Sequence, residues 1–369
     1  RCVYQTGASR SRPPLGGTAG GAGVIGWYLH HHGAGHLQRL RAIAAQLEAE
    51  VTVFSSLPAP QLSVTTRSGP VGWIQLPEDW TPETFCPDPS TADPVAGGLL
   101  HWAPLHHRGH ASRLAAIAAA ATDLELMVVD VSAEVVLLAR LLGAPVVAVT
   151  QPGERTDLTH QLAYRAATRI LASFPGPDRV GRAVLAKAAP HVLEFAERTV
   201  FTGGISALDE TAGPAQERAD TVAGSRVLFV GSRGGSAMTA EALRPLLAAS
   251  TFAGEVVGVP GFPWVSDVRK RMAEADVVVI NAGLGSVADV ARLARPAVVL
   301  AQDRPFGEQN ATVRLLRGIG VVTASGMPEI GQWDALVDRA LSAGGPAWGG
   351  WQVRGAADRA ARAIQELVE

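Results

Sequence analysis

The stretch Ala275–Asp289 joins an apolar strand to a glycine-bearing turn that opens directly into a helix. Asn281, Ala282, Gly283, Gly285 and Ser286 form the turn and the helix start, where unpaired backbone N–H groups and the helix dipole attract a diphosphate. Asp289 follows one turn later and suits ribose hydroxyls, and Glu308 and Gln309 suit the hydroxyls of a sugar. Each has a plainer reading. Ser286 and Asp289 could form a capping box, and Glu308 and Gln309 could be ordinary first-turn helix residues.

Two further turns carry chemistry. Val227–Val230 reads as a strand running into Gly231, Ser232, Arg233, Gly234 and Gly235, whose N–H groups could cradle phosphate with a charge-assisted bond from Arg233. Earlier, Gly33 and Gly35 lie in the turn before His36, where glycines let backbone approach a ligand. A neutral imidazole there is suited to take a proton from a hydroxyl nucleophile; a helix cap is the plainer role. His30, His31 and His32 read poorly as a metal site, since consecutive strand residues alternate faces. No acidic or cysteine partner stands near them in sequence, so no metal is expected.

These residues need strands and helices to bring them together. Val24–Leu29 reads as a strand, and Leu37, Leu40, Ile43, Ala44 and Leu47 recur at helical spacing. Strands at Val51–Phe54, Leu126–Val129 and Val146–Val149, with a helix Ala133–Leu142, continue the alternation, and a second such rhythm runs from Arg226 to about Ala343. Alternation of this kind gives parallel sheets covered by helices. It breaks between Pro77 and Pro104, where Pro82, Pro87, Pro89 and Pro94 with Trp80, Phe85 and Trp102 read as a long functional loop. His101, His106, His107 and His110 cluster at its end as an acceptor pocket or as a solvated loop and helix start. The region 203–224 reads as a linker, and Trp351–Glu369 as an amphipathic terminal helix with Val353, Ala357, Ala360, Ile364 and Leu367 on one face.

Composition narrows the class. Hydrophobic residues are 47% and charged residues 18%, as in a folded protein rather than a disordered one. Lys and Arg number 32 against 34 Asp and Glu, for a net charge of -2, which argues against a nucleic-acid binder. Cys2 and Cys86 are the only cysteines, so a disulfide framework is excluded and a reducing, cytoplasmic setting is expected. Arg1–Gly23 lacks the apolar core of a signal peptide and reads as a disordered lead-in.

From about Val24 onward, these motifs in this order resemble the GT-B glycosyltransferases, most closely the family 28 branch that includes the N-acetylglucosaminyltransferase of peptidoglycan synthesis. The resemblance implies two Rossmann-like domains facing across a cleft, residues 24–205 for the acceptor and 206–350 for the nucleotide-sugar, with 351–369 as a helix crossing back to the first. It gives Gly231–Gly235 the first phosphate-side loop, Trp264 and Val265 the uracil contact, and residues 281–286 the diphosphate loop. Asp289 takes the place of the family's ribose-binding glutamate, one methylene shorter, and Glu308 and Gln309 that of the sugar-contacting pair. Asn310 follows Gln309 directly, whereas the family's usual asparagine lies further on. Some GT-B members pair the histidine with an aspartate from a later strand, for which Asp130 is the candidate; its plainer role is to cap the next helix. The activity implied is transfer of a sugar, UDP-linked by expectation, to an acceptor hydroxyl, with inversion, without metal, and with the nucleotide-sugar as co-substrate rather than a bound cofactor. A small-molecule or lipid-linked acceptor and contact with the cytoplasmic face of a membrane stay open. So do a nucleotide-sugar 2-epimerase and a non-catalytic nucleotide-sugar sensor.

Overall fold

The computed structural model describes residues 23–31, 34–79, 92–208, 224–231, 238–263, 265 and 267–368. All of the expected lead-in except Gly23, the middle of the Pro77–Pro104 loop and most of the expected linker lie outside these residues.

Two parallel sheets organise the chain. The first joins β1 (Val24–Tyr28), β2 (Glu50–Ser55), β5 (Gly72–Gln75), β6 (Leu126–Asp130), β7 (Val146–Thr150), β8 (Arg169–Ala172) and β9 (Thr199–Phe201) in the order β5-β2-β1-β6-β7-β8-β9. A small antiparallel hairpin, β3 (Thr65–Thr66) and β4 (Gly69–Pro70), stands beside it. The second joins β10 (Arg226–Val230), β11 (Ala253–Val257), β12 (Val277–Asn281), β13 (Ala297–Ala301) and β14 (Val322–Ser325) in the order β11-β10-β12-β13-β14. In each, the order reverses beside the first strand, between β1 and β6 and between β10 and β12. Open parallel sheets bind ligands at the carboxyl ends of such strands.

The strand sequences explain the sheets. Residues of β6, β7, β12 and β13 are buried throughout, because helices cover both faces and the apolar run need not alternate. The polar residue of β6, β7 and β12 falls at its last position: Asp130, Thr150 and Asn281. In β1, Gly26 permits close packing, since a Cβ there would lie 2.5 Å from both Leu124 Cδ1 and Met127 Sδ.

Two cores bear on the site. Ile25, Trp27, Leu40, Ile43 and Val128 of the first half pack with Ala360 and Ile364 of the terminal helix, which thus returns to the first sheet. That helix spans Ala356–Gln365 rather than beginning at Trp351. Gln352 and Gly355 are left-handed, at φ 54° and 68°, and a helix cannot run through them. A second core crosses between the halves, with Phe174, Leu185 and Val192 against Leu315, Leu316 and Trp351. Among the described residues no helix is long and apolar enough to cross a membrane.

Candidate active site

The chain leaves β1, turns, and enters the helix Ala34–Ala44 with His36 in its first turn. Asp130, fully buried, ends the neighbouring β6. Across the 94 intervening residues the His36 Nδ1–H donates to Asp130 Oδ2 at 2.9 Å. Burial alone would raise the Asp130 carboxyl, but Arg39, His36 and His30 outweigh it and hold the pKa down to about 2. The carboxylate is therefore ionised and accepts. That fixes the imidazole tautomer and leaves Nε2 as the basic nitrogen. Asp130 does not cap the next helix, because Ser132 Oγ accepts from Val135 N at 3.3 Å instead. Between them Val131 sits at φ 63°, a strained conformation for a β-branched residue.

Sequence reasoning missed Arg39, whose Nη1 lies 3.4 Å from Asp130 Oδ1 and which is 7% exposed. The signal was present: three residues after His36 on a helix, it shares the same face.

In the second half β12 ends at Asn281, Ala282 is buried, and the helix Leu284–Leu293 begins after the N-cap Gly283. Ser286 thus lies inside the helix, and the capping-box reading fails. Asp289 turns toward the chain that links the halves: its Oδ1 accepts from Ser206 Oγ at 2.6 Å and from Ala207 N at 2.9 Å. Burial raises its pKa against those two bonds. Glu308 opens the helix Glu308–Gly318, whereas Gln309 is buried, its Oε1 accepting from Gln302 N at 3.0 Å. Gly231 and Val265 are described and partly buried; Gly33, Ser232, Arg233, Gly234, Gly235 and Trp264 lie outside the described residues.

The two sites meet. A Cβ placed on Gly285 would stand 3.9 Å from both Gly35 Cα and Gln38 Oε1. The helix that carries His36 and the helix behind the expected diphosphate loop therefore face one another by their N-termini.

A cleft of about 340 Å³ opens beside this meeting point, lined in part by Tyr28, His30, Trp102, His110, Val131 and Phe306. The His30 ring stands 5.5 Å from that of His36. Of the four clustered histidines, His101 and His110 line the cleft, His107 Nδ1 caps the helix Arg108–Ala120 by accepting from His110 N, and His106 is exposed.

Phe306, at φ 59°, reaches across from the second half. Its carbonyl accepts from Glu154 N at 2.7 Å. Its ring lies 5.1 Å from the Arg155 guanidinium, with His101 and His160 at 5.2 and 4.8 Å. Gly153 is required there, since a Cβ would come within 2.5 Å of the Phe306 carbonyl oxygen. We expect Phe306→Ala and Arg155→Met to destabilise non-additively, with a coupling of about 1 kcal/mol in a denaturant double-mutant cycle. Additive losses would mean that the ring contact does not join the halves.

Among the described residues, two groups of side chains have the composition of a metal site: His101, Asp157 and His160, and His31, Glu78 and Asp79. His31 thus gains acidic neighbours that its local sequence did not offer. In the first group hydrogen bonds account for the geometry. Arg155 Nη1 donates to His160 Nε2 at 3.1 Å, so His160 Nδ1–H donates to Asp157 Oδ2 at 2.5 Å, and His101 Nε2 meets Asp157 Oδ1 at 3.0 Å.

No family model matches the chain, and no curated protein matches it by sequence. Solved structures do. The glycotransferase of kitacinnamycin is 17% identical with a TM-score of 0.62, over 94% of this chain and 100% of that one. MurG of Acinetobacter baumannii is 17% identical with a TM-score of 0.57, over 93% and 99%. A UDP-glucosyltransferase from Polygonum tinctorium capable of glucosylating indoxyl is 14% identical with a TM-score of 0.63, over 95% and 99%. The chain has the GT-B fold.

Proposed function

We propose that the protein is a glycosyltransferase that moves a sugar from a nucleotide diphosphate sugar to an acceptor hydroxyl. The observation that carries this reading is the His36–Asp130 pair, set against the N-terminus of the Leu284–Leu293 helix through the approach of Gly35 and Gly285. In this reading a base and an anion site face one another where the two helix N-termini meet. In the proposed step His36 Nε2 takes the proton of the acceptor hydroxyl as its oxygen attacks the anomeric carbon. The bond from that carbon to the diphosphate breaks, and the leaving group carries away the electron pair. A single displacement inverts the anomeric centre. The developing charge falls at the N–H groups of the 284–293 helix, which supports a metal-independent reaction. Asp289 would hold the ribose through whatever its linker bonds leave available, and Glu308 the sugar. The cleft beside His30 favours a reaction with an acceptor over epimerisation, which needs none.

UDP is the first nucleotide to try, because the Polygonum neighbour is a UDP-glucosyltransferase. At a hundredfold excess over its dissociation constant, a ligand stabilises the fold by about 2.7 kcal/mol. We expect UDP at millimolar concentration to raise the melting temperature more than GDP or dTDP. We expect Asp289→Asn, which keeps an acceptor for Ser206 and Ala207, to reduce that shift. No shift with any of the three would remove the proposal. His36→Ala should keep the UDP shift while losing transfer; retained transfer would exclude His36 as the base.

A further inference from the structure

We infer that the cleft between the Arg108–Ala120 helix, the end of β1 and Phe306 binds a compact, planar, uncharged aromatic molecule, and that the acceptor is of this class rather than a lipid pyrophosphate. The acceptor assignment rests on the transferase proposal; the aromatic binding site does not.

Size is the first ground. About 340 Å³ lies at the low end of small-molecule pockets, enough for roughly two or three fused rings and too little for a polyprenyl chain. The second is the wall, where Tyr28, His101, Trp102 and Phe306 supply flat faces, against which rings stack or meet edge to face. Burial pushes the Tyr28 hydroxyl up to about 12, so it stays protonated and can donate.

Charge is the third ground. Among the described residues, the lining holds two carboxylates, Asp79 and Glu134, and one guanidinium, Arg113. Arg113 is 2% exposed and already committed, with Nη1 3.2 Å from Asp79 Oδ2 and bonded to Ser56 Oγ at 3.0 Å. Glu134 accepts from the backbone N–H groups of His101 and Trp102 at 2.8 and 3.1 Å. Burial first of all lowers the pKa of His110, keeping it neutral. Among the described lining residues a pyrophosphate would meet carboxylates and only the already paired Arg113, whereas a neutral phenol meets aromatic faces and arrives near His36 by way of His30.

The test uses the full chain with 7-hydroxycoumarin, whose fluorescence reports binding, and geranyl pyrophosphate as competitor. Leu114 lines the cleft from the Arg108–Ala120 helix, so Leu114→Trp fills it. We expect saturable coumarin binding, at least tenfold weaker in Leu114→Trp, and no competition by geranyl pyrophosphate at tenfold excess. Leu114→Phe replaces it if the tryptophan variant melts early. Coumarin binding that ignores both substitutions, or competitive displacement by geranyl pyrophosphate, overturns the inference. If coumarin binds as expected and no nucleotide shifts the melting temperature, the aromatic site stands and the transferase proposal falls. If UDP shifts it and geranyl pyrophosphate wins the cleft, the reverse holds.

Discussion

Under the proposed function, Asp130→Asn is expected to lower the rate of sugar transfer by about three orders of magnitude while leaving nucleotide binding in place. The amide can no longer fix His36 with Nδ1–H toward it, and it would not stabilise the imidazolium that the proposed step forms when Nε2 takes the acceptor proton. Losses of roughly 10²- to 10⁴-fold accompany the removal of such orienting carboxylates or of general bases. The substitution also leaves Arg39 buried at 7% exposure without its anion, which costs on the order of 3 kcal/mol. Stability against pH separates the two effects. The folded pKa of Asp130, about 2, lies below its unfolded value. Its contribution is therefore present above about pH 4 and is lost as pH falls toward 2. Acid unfolding of Asp130→Asn should lack that component. A variant that transfers sugar at the wild-type rate would remove Asp130 from the mechanism.

Acidification should weaken the protein well before Asp130 titrates, because two histidines are held neutral behind the Phe306 contact. His191 is fully buried, its Nε2 bonded to Thr150 Oγ1 at 2.9 Å and its ring stacked on Tyr164. Burial, then the charges of Arg155 and His160, push its pKa down to about 3. His160 is lowered to about 4, by burial and by Arg155, against the raising effect of its bond to Asp157. Unfolded histidine binds a proton near pH 6.5. Between there and pH 4 the unfolded chain therefore holds more protons, and stability falls as pH falls by up to about 1.4 kcal/mol per pH unit for each histidine. Calorimetry from pH 7 to pH 5 should show the melting temperature dropping on the order of ten degrees. His191→Gln, which can keep the bond to Thr150, should flatten the slope. An equal slope in that variant would show that His191 titrates normally.

The parallel sheets, the turn at Gly283 and His36 at a helix start were legible in the chain. Parallel strands buried on both faces read as apolar runs, and in β6, β7 and β12 the run ends on a polar residue, Asp130, Thr150 and Asn281. Asp130 emerged only through the family resemblance, and Arg39 was overlooked although its helical spacing pointed to it. For Asp289 and Gln309 the structure adds partners that local pattern did not name: Asp289 accepts from Ser206 and Ala207 of the linking chain, and Gln309 accepts from the Gln302 N–H. The contact around Phe306 and the buried histidines behind it left no local trace, and of the aromatic wall of the cleft only the cluster around His101 and Trp102 did, since Tyr28 and Phe306 come from opposite halves of the chain.

Local sequence by itself determined the period of the apolar runs, the turns that glycine permits and the edge at which polar strand ends collect. These depend on backbone geometry and on burial over a few residues. Tertiary structure alone decided which partner each polar group received, which tautomer His36 adopts and how the two halves close on Phe306. A hydrogen bond or a charge pair is set by distances of a few ångströms in space, and the order of residues along the chain does not contain those distances.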